Sequence, residues 1–450
     1  MARYDVIILG GGASGEHCAG ELVKGGKRTA IVERELVGGE CTFWACMPSK
    51  TLLRPGEALA DARRAPGAAQ AAGGRLDVEA ALGWRDYMVS NYSDDGGVKW
   101  AHDNGIDILR GDGRITGPGE IEVDGETHTA DDIVVATGSE PVIPPTDGLR
   151  DLEGLWTNRE VTGFKADELP RRLLVLGGGP VGVEMAQALR RMGSEVALVE
   201  GGAHLLGREP EPLGRALGDA LRADDIELHF GQFASRARRE GADYVLEFPD
   251  GKVLKGDRLL VATGRRPRLE GIGLEHVGVE PGKRGIEVDA RMSAGNGLWA
   301  IGDVTGIWPL TYMGKYQGRV AAANILGHEA EANYEAVPRV VFTDPQAAAV
   351  GEPDGEVTVT VSLDSVPRMA TYYREYEHAG FLTLISDGER LTGAYALGPE
   401  AGEWLGQATL AIRARVPIAV LKDTIQPFPT FSEICLHAMQ EITANVPTAA

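Results

Sequence analysis

Two cysteines, Cys41 and Cys46, stand with four residues between them in the segment GGECTFWACMPSK. One helical turn plus a little slack brings such side chains within reach of a disulfide, which needs about 5.5–6 Å between α-carbons. A pair that opens and closes in this way exchanges two electrons by thiol–disulfide chemistry. The same two residues, taken alone, would serve equally well as core side chains. Four cysteines in 450 residues do not make a disulfide-stapled secreted scaffold. What flanks the pair therefore decides its reading.

Two segments share one design. The first, YDVIILGGGASGEHCAGELVKGGKRTAIVER, carries Gly10, Gly12, Gly15 and then Glu33. The second, LLVLGGGPVGVEMAQALRRMGSEVALVE, carries Gly177, Gly179, Gly182 and Glu200, each 167 residues after its counterpart. Both read as strand, glycine turn, amphipathic helix and strand, ending on an acid. The first glycine permits a tight turn, the second lets the backbone approach a pyrophosphate, and the third lets helix pack on strand. The helix start offers free N–H groups to phosphates, and the acid can accept hydrogen bonds from a ribose diol. One such fingerprint is weak evidence. Two in full context predict two Rossmann-like dinucleotide-binding domains.

A second pair of echoes, DDIVVATGSEP around Gly138 and DRLLVATGRRP around Gly264, reads as a strand entering a glycine turn that closes each domain. In LWAIGDV, Asp303 follows a short apolar strand, where an acid can bind a cofactor hydroxyl or simply shape a turn. Residues 54–113 are mostly helical in pattern. Beyond about Tyr334 the texture changes to antiparallel strands, with helical segments at Trp404–Ala414 and Glu433–Thr443. The expected organisation is 1–150 and 269–334 for the first nucleotide domain, 151–268 for the second, and 335–450 for a terminal α+β domain.

A net charge of −21 excludes nucleic acid as a partner, because phosphate binding needs a basic footprint. The N-terminal apolar run is one strand long before Gly10 breaks it, so it predicts a buried strand rather than a signal peptide. No stretch is long enough to span a bilayer. A cytoplasmic protein without a membrane or metal site is the expectation.

Taken together, these motifs resemble the class I pyridine nucleotide–disulfide oxidoreductases, which include dihydrolipoamide, glutathione, mycothione and mercuric reductases. The resemblance covers essentially the whole chain in the right order. It implies an FAD domain, an NAD(P) domain and a C-terminal interface domain in a homodimer, and hydride flow from NAD(P)H through FAD to a redox disulfide. By position, Cys46 resembles the flavin-proximal thiol and Cys41 the interchange thiol that attacks substrate. Lys50 resembles the lysine near flavin N5, paired with Glu184, and Asp303 the acid that holds the FAD ribityl chain. Gly10, Gly12, Gly15, Glu33 and Gly138 would take FAD. Gly177, Gly179, Gly182, Glu200 and Gly264 would take the nicotinamide nucleotide. A lysine and a helix start near Cys46 both favour its thiolate.

The sequence also departs from the family. The C-terminal pattern His-Pro-Thr-x-x-Glu is here FPTFSE, so Phe428 replaces the acid–base histidine while Glu433 remains. His437, one turn beyond Glu433, is either a substitute or a packing residue. Pro180 stands where many members carry a tyrosine over the nicotinamide pocket. Phe43 and Trp44, between the cysteines, are either packing residues or a platform for an aromatic acceptor. Cys435 reads as buried. The leading function is NADH-dependent reduction of a small-molecule or protein disulfide. The alternatives are reduction of quinones or other diffusible acceptors, transhydrogenase-like chemistry, and a non-catalytic redox-sensing dimer. Glu200, with glycines at 201 and 207, favours NADH over NADPH, although Arg208 lies nearby.

Overall fold

A computed structural model describes residues 2–373 and 380–445. The chain forms two compact units. The first comprises Met1–Pro48, Gly83–Val142 and Gly264–Asn333, and the second Ser49–Leu82, Ile143–Thr263 and Tyr334–Ala450. Residues 49–82, expected within the first nucleotide domain, thus pack in the second unit.

In the first unit the strand Arg3–Leu9 lies between Thr29–Glu33 and Glu126–Val135, parallel to both. Asp107–Arg110 and Leu298–Ala300 extend this parallel core on either side. Its strands read as near-continuous apolar runs because both faces are covered. Ile7, Ile8 and Ile31 are fully buried. The helix Ala13–Lys24 packs beside Thr311–Ile325.

The second unit repeats the plan. Arg172–Leu176 lies between Glu195–Glu200 and Arg258–Val261, with Glu227–Phe230 outermost, all parallel. The helix Pro180–Met192 follows the second glycine turn, with Pro180 at its first position, where a missing N–H costs nothing. The same unit holds a five-stranded antiparallel sheet from Arg339–Val341 to Leu391–Gly398, covered by the helix Glu433–Asn445. The predicted helix at Trp404–Ala414 is two, Ala401–Trp404 and Gly406–Arg413, broken at the buried Leu405. Among the described residues no helix is long and apolar enough to cross a membrane, and no cluster of His, Cys, Asp and Glu could hold a metal ion.

The two glycine turns agree at atomic detail. Gly10 and Gly177 have φ of 114° and 108°, a left-handed conformation that favours glycine. A Cβ on either would lie 2.4 Å from a carbonyl oxygen, that of Ala136 or Ala262, in the ATG segments that echo each other. A Cβ on Gly12, by contrast, would make only ordinary contact with the Gly39 α-carbon at 3.9 Å, and Gly179 faces open space. Gly177→Ala is therefore expected to lower stability by about 1–3 kcal/mol, from an incompatible φ and a backbone clash. Gly179→Ala should change it by about 0.5 kcal/mol or less. Thermal unfolding of the two variants checks this, and equal losses would contradict it.

Candidate active site

Cys41 sits on the short helix Gly39–Phe43, which the chain enters through Gly38 and Gly39, both at positive φ. Gly38 N–H donates to the Gly11 carbonyl at 2.7 Å. A Cβ on Gly39 would lie 2.8 Å from the Gly12 α-carbon. The first glycine turn thus fixes the segment that carries Cys41. Phe43 is buried in the protein, which settles its role as packing, and Trp44 packs on it with ring centroids 5.7 Å apart. Glu40, beside Cys41, lies 3.6 Å from Arg265 and 3.8 Å from Arg268. Arg265 also donates to the backbone and hydroxyl oxygens of Ser139, whose hydroxyl donates to Asp303 at 2.5 Å. Gly138, at φ 72°, precedes that serine, and Gly264, at φ 136°, precedes Arg265.

Cys46 opens the helix Cys46–Arg64. Its Sγ lies 3.3 Å from the Thr311 hydroxyl, and Thr311 opens a second helix of 15 residues. Two helix starts, each with a positive dipole end, favour negative charge at this sulfur by about 0.3–1 kcal/mol apiece. Neither cysteine is in a disulfide. The Cys41 thiol is held far above the usual thiol range, first by its hydrogen bond to Cys46 and then by burial. Thr311 and Lys315 pull the other way and do not prevail. Thr311 and Lys315 left no trace in the motif reading, because they reach the sulfurs only through tertiary packing.

Four residues beyond Cys46 on the same helix, Lys50 Nζ donates to Glu184 Oε2 at 2.8 Å. Glu184 is buried and its other oxygen accepts from the Phe342 N–H at 2.9 Å. The ammonium also lies 4.8 Å from the Phe342 ring centroid. No motif announces Phe342. Glu184 is thereby locked at both oxygens.

Each terminal acid is bound in the same way. Glu33 accepts from Gly11 N–H and Glu35 N–H, both at 2.8 Å. Glu200 accepts from Gly178 N–H at 2.7 Å and Gly202 N–H at 2.6 Å. Every carboxylate oxygen retains acceptor capacity for a hydroxyl. The helices starting at Ala13 and Pro180 are capped by Gly12 and Gly179, which supply no side-chain acceptor. Open space before a helix start with uncapped N–H groups fits a pyrophosphate. In the first turn of Ala13–Lys24, burial pushes the Glu16 carboxyl up to about 7, against the pull of Lys315, which weakens its repulsion of an anion there. These residues fit FAD at the first turn, with Glu33 at a ribose and Asp303 available to a hydroxyl chain.

At the C-terminal end Phe428 is exposed, and Glu433 Oε2 is buried without a hydrogen-bond partner within the described chain. His437 Nδ1 lies 3.3 Å from Ser365 Oγ, a contact that suits a packing residue. Cys435 is buried, and burial pushes its thiol up to about 12.

Residues 4–322 match the pyridine nucleotide-disulphide oxidoreductase family, and residues 337–439 match the dimerisation domain of that family. The chain is 35% identical to dihydrolipoyl dehydrogenase of Thermus scotoductus over 98% of both chains. It is 34% identical to mercuric reductase of Streptomyces lividans, over 98% of this chain and 97% of that one. The crystal structure of LpdA from Mycobacterium tuberculosis superposes with a TM-score of 0.85 at 26% identity, over 98% of this chain and all of that one. The FAD-fitting glycine turn, its nicotinamide counterpart and the thiol pair thus stand in a chain that belongs to the pyridine nucleotide-disulphide oxidoreductases, as an NAD(P)H-dependent flavoenzyme with a dimerisation domain.

Proposed function

We propose that the enzyme takes electrons from NADH and passes them through Cys41 and Cys46 to a disulfide whose departing sulfur is already a stabilised thiolate or thione. The hydrogen-bonded thiol pair at two helix starts carries this reading. FAD, when bound, supplies the two-electron exchange between nicotinamide and sulfur. Lys50 is held in orientation by its ion pair with Glu184. Two electrons break the Cys41–Cys46 bond, one proton goes to Cys41, and the negative charge rests on Cys46.

Cys41 then attacks the acceptor disulfide, forming a mixed disulfide and releasing one sulfur as thiolate. The Cys41 proton can pass along its hydrogen bond to Cys46. Cys46, after giving that proton to the thiolate released first, attacks the Cys41 sulfur, releases the second sulfur as thiolate and restores the intramolecular bond. The family match gives no support to the quinone, transhydrogenase or non-catalytic readings.

Charge on Cys46 predicts that Cys46→Ser removes the long-wavelength absorbance that a thiolate gives against oxidised FAD, whereas Cys41→Ser keeps it. Thr311→Val removes a hydrogen bond to charged sulfur, which is worth about 1.5–3 kcal/mol, or roughly one to two pKa units. Losing a stabiliser of the anion raises the thiol pKa, so the absorbance should appear at correspondingly higher pH. A titration unchanged by Thr311→Val would remove Thr311 from the mechanism.

Glu200 accounts for the choice of NADH. Its carboxylate accepts from a ribose diol and repels a 2′-phosphate. The expected kcat/KM for NADH exceeds that for NADPH, and the reverse order would refute this assignment.

Phe428 cannot move a proton, and a positioned acid–base group contributes about 10²–10⁴-fold. Rates across a series of disulfides should therefore fall steeply as leaving-group pKa rises. Phe428→His should raise rates on alkyl disulfides by about 10²-fold and flatten that slope, because Glu433 already holds an unused acceptor oxygen for an imidazole. Fast reduction of lipoamide by the wild type, with a pH limb lost in His437→Gln, would overturn the scheme.

A further inference from the structure

The residue after the ribose acid is Gly201, and the space its side chain would fill is taken from elsewhere. A Cβ on Gly201 would lie 2.2–2.3 Å from Cε1 and Cζ of Phe233, a ring that comes from the loop after Glu227–Phe230. Two backbone hydrogen bonds hold that loop in place. Gln232 N–H donates to the Glu200 carbonyl at 3.2 Å, and Gly231 N–H donates to the Gly202 carbonyl at 2.9 Å. The ring is nonetheless 73% exposed. Core packing does not explain a phenyl group with most of its surface in water.

The chemistry of the nucleotide does. Adenine is attached to the sugar carbon next to the one bearing the 2′-hydroxyl, so a diol held by Glu200 brings the base alongside the residues flanking Glu200. A flat apolar face pinned there has the shape and polarity to stack on a purine, and stacking needs no hydrogen-bond readout. We propose that Phe233 is the adenine platform of the nicotinamide nucleotide, filling the place that a side chain at 201 would otherwise occupy. This rests on the reading of the second glycine turn as the nicotinamide nucleotide site. It also explains why 201 is glycine, since any larger residue would displace the ring.

The test compares ligands with and without adenine on the FAD-loaded enzyme. ADP-ribose binding, by calorimetry, should weaken about 10-fold in Phe233→Ala, within the range for loss of base–aromatic stacking, and should recover in Phe233→Trp. KM for NADH and for NADPH should rise by the same factor with kcat unchanged, because both carry the base. Turnover with reduced nicotinamide mononucleotide, which lacks adenosine, should not change. Unaltered ADP-ribose binding by Phe233→Ala would overturn the platform alone. Parallel loss with the mononucleotide would also overturn it, showing the ring to be structural. No ADP-ribose binding by the wild type would sink the underlying nucleotide-site reading, and this inference with it.

Discussion

The contact on which the rest of the site depends is one of backbone against backbone, Gly39 on Gly12, with the neighbouring hydrogen bond from Gly38 to Gly11. A side chain at Gly39 would collide with the Gly12 backbone. It places the short helix of Cys41 against the turn whose N–H groups fit the FAD pyrophosphate. The cofactor cradle and the Cys41 segment are therefore one piece of backbone geometry. A shift in either moves both.

The duplicated nucleotide folds show how one physical solution serves two ends. Each turn closes on the carbonyl of an Ala-Thr-Gly segment, and each acid is clamped by two backbone N–H groups. They differ in what surrounds the clamp. The first turn is joined to the cysteine segment. The second is bordered by Gly201 and a surface phenyl ring.

Charge in the redox pair follows from position. Cys46 opens one helix and lies 3.3 Å from Thr311, which opens another, while the hydrogen bond to Cys46 and then burial raise the Cys41 thiol. The Lys50–Glu184 pair gains its fixed geometry from the Phe342 N–H, which occupies the second carboxylate oxygen. At the opposite extreme stands Glu433. Its buried oxygen has no partner in the described chain, where the family pattern would supply a histidine.

The fold was legible in the sequence because its signals are local. Two glycine fingerprints, each a strand, a turn and a helix, followed by an acid at fixed spacing, dictate two parallel sheet cores, and the cysteine spacing marked the thiol pair. The contacts that tune the site join residues far apart in the chain, so no spacing announces them. Thr311 reaches Cys46 across 265 positions, Phe342 reaches Glu184 across 158, and Ser139 reaches Asp303 across 164. The sequence left Phe43 open between packing and platform, and burial decided for packing. The motif determined which residues could do the chemistry. Only the tertiary structure decided which groups surround the thiol pair, Thr311 and Lys315 among them, because those contacts join residues far apart in the chain.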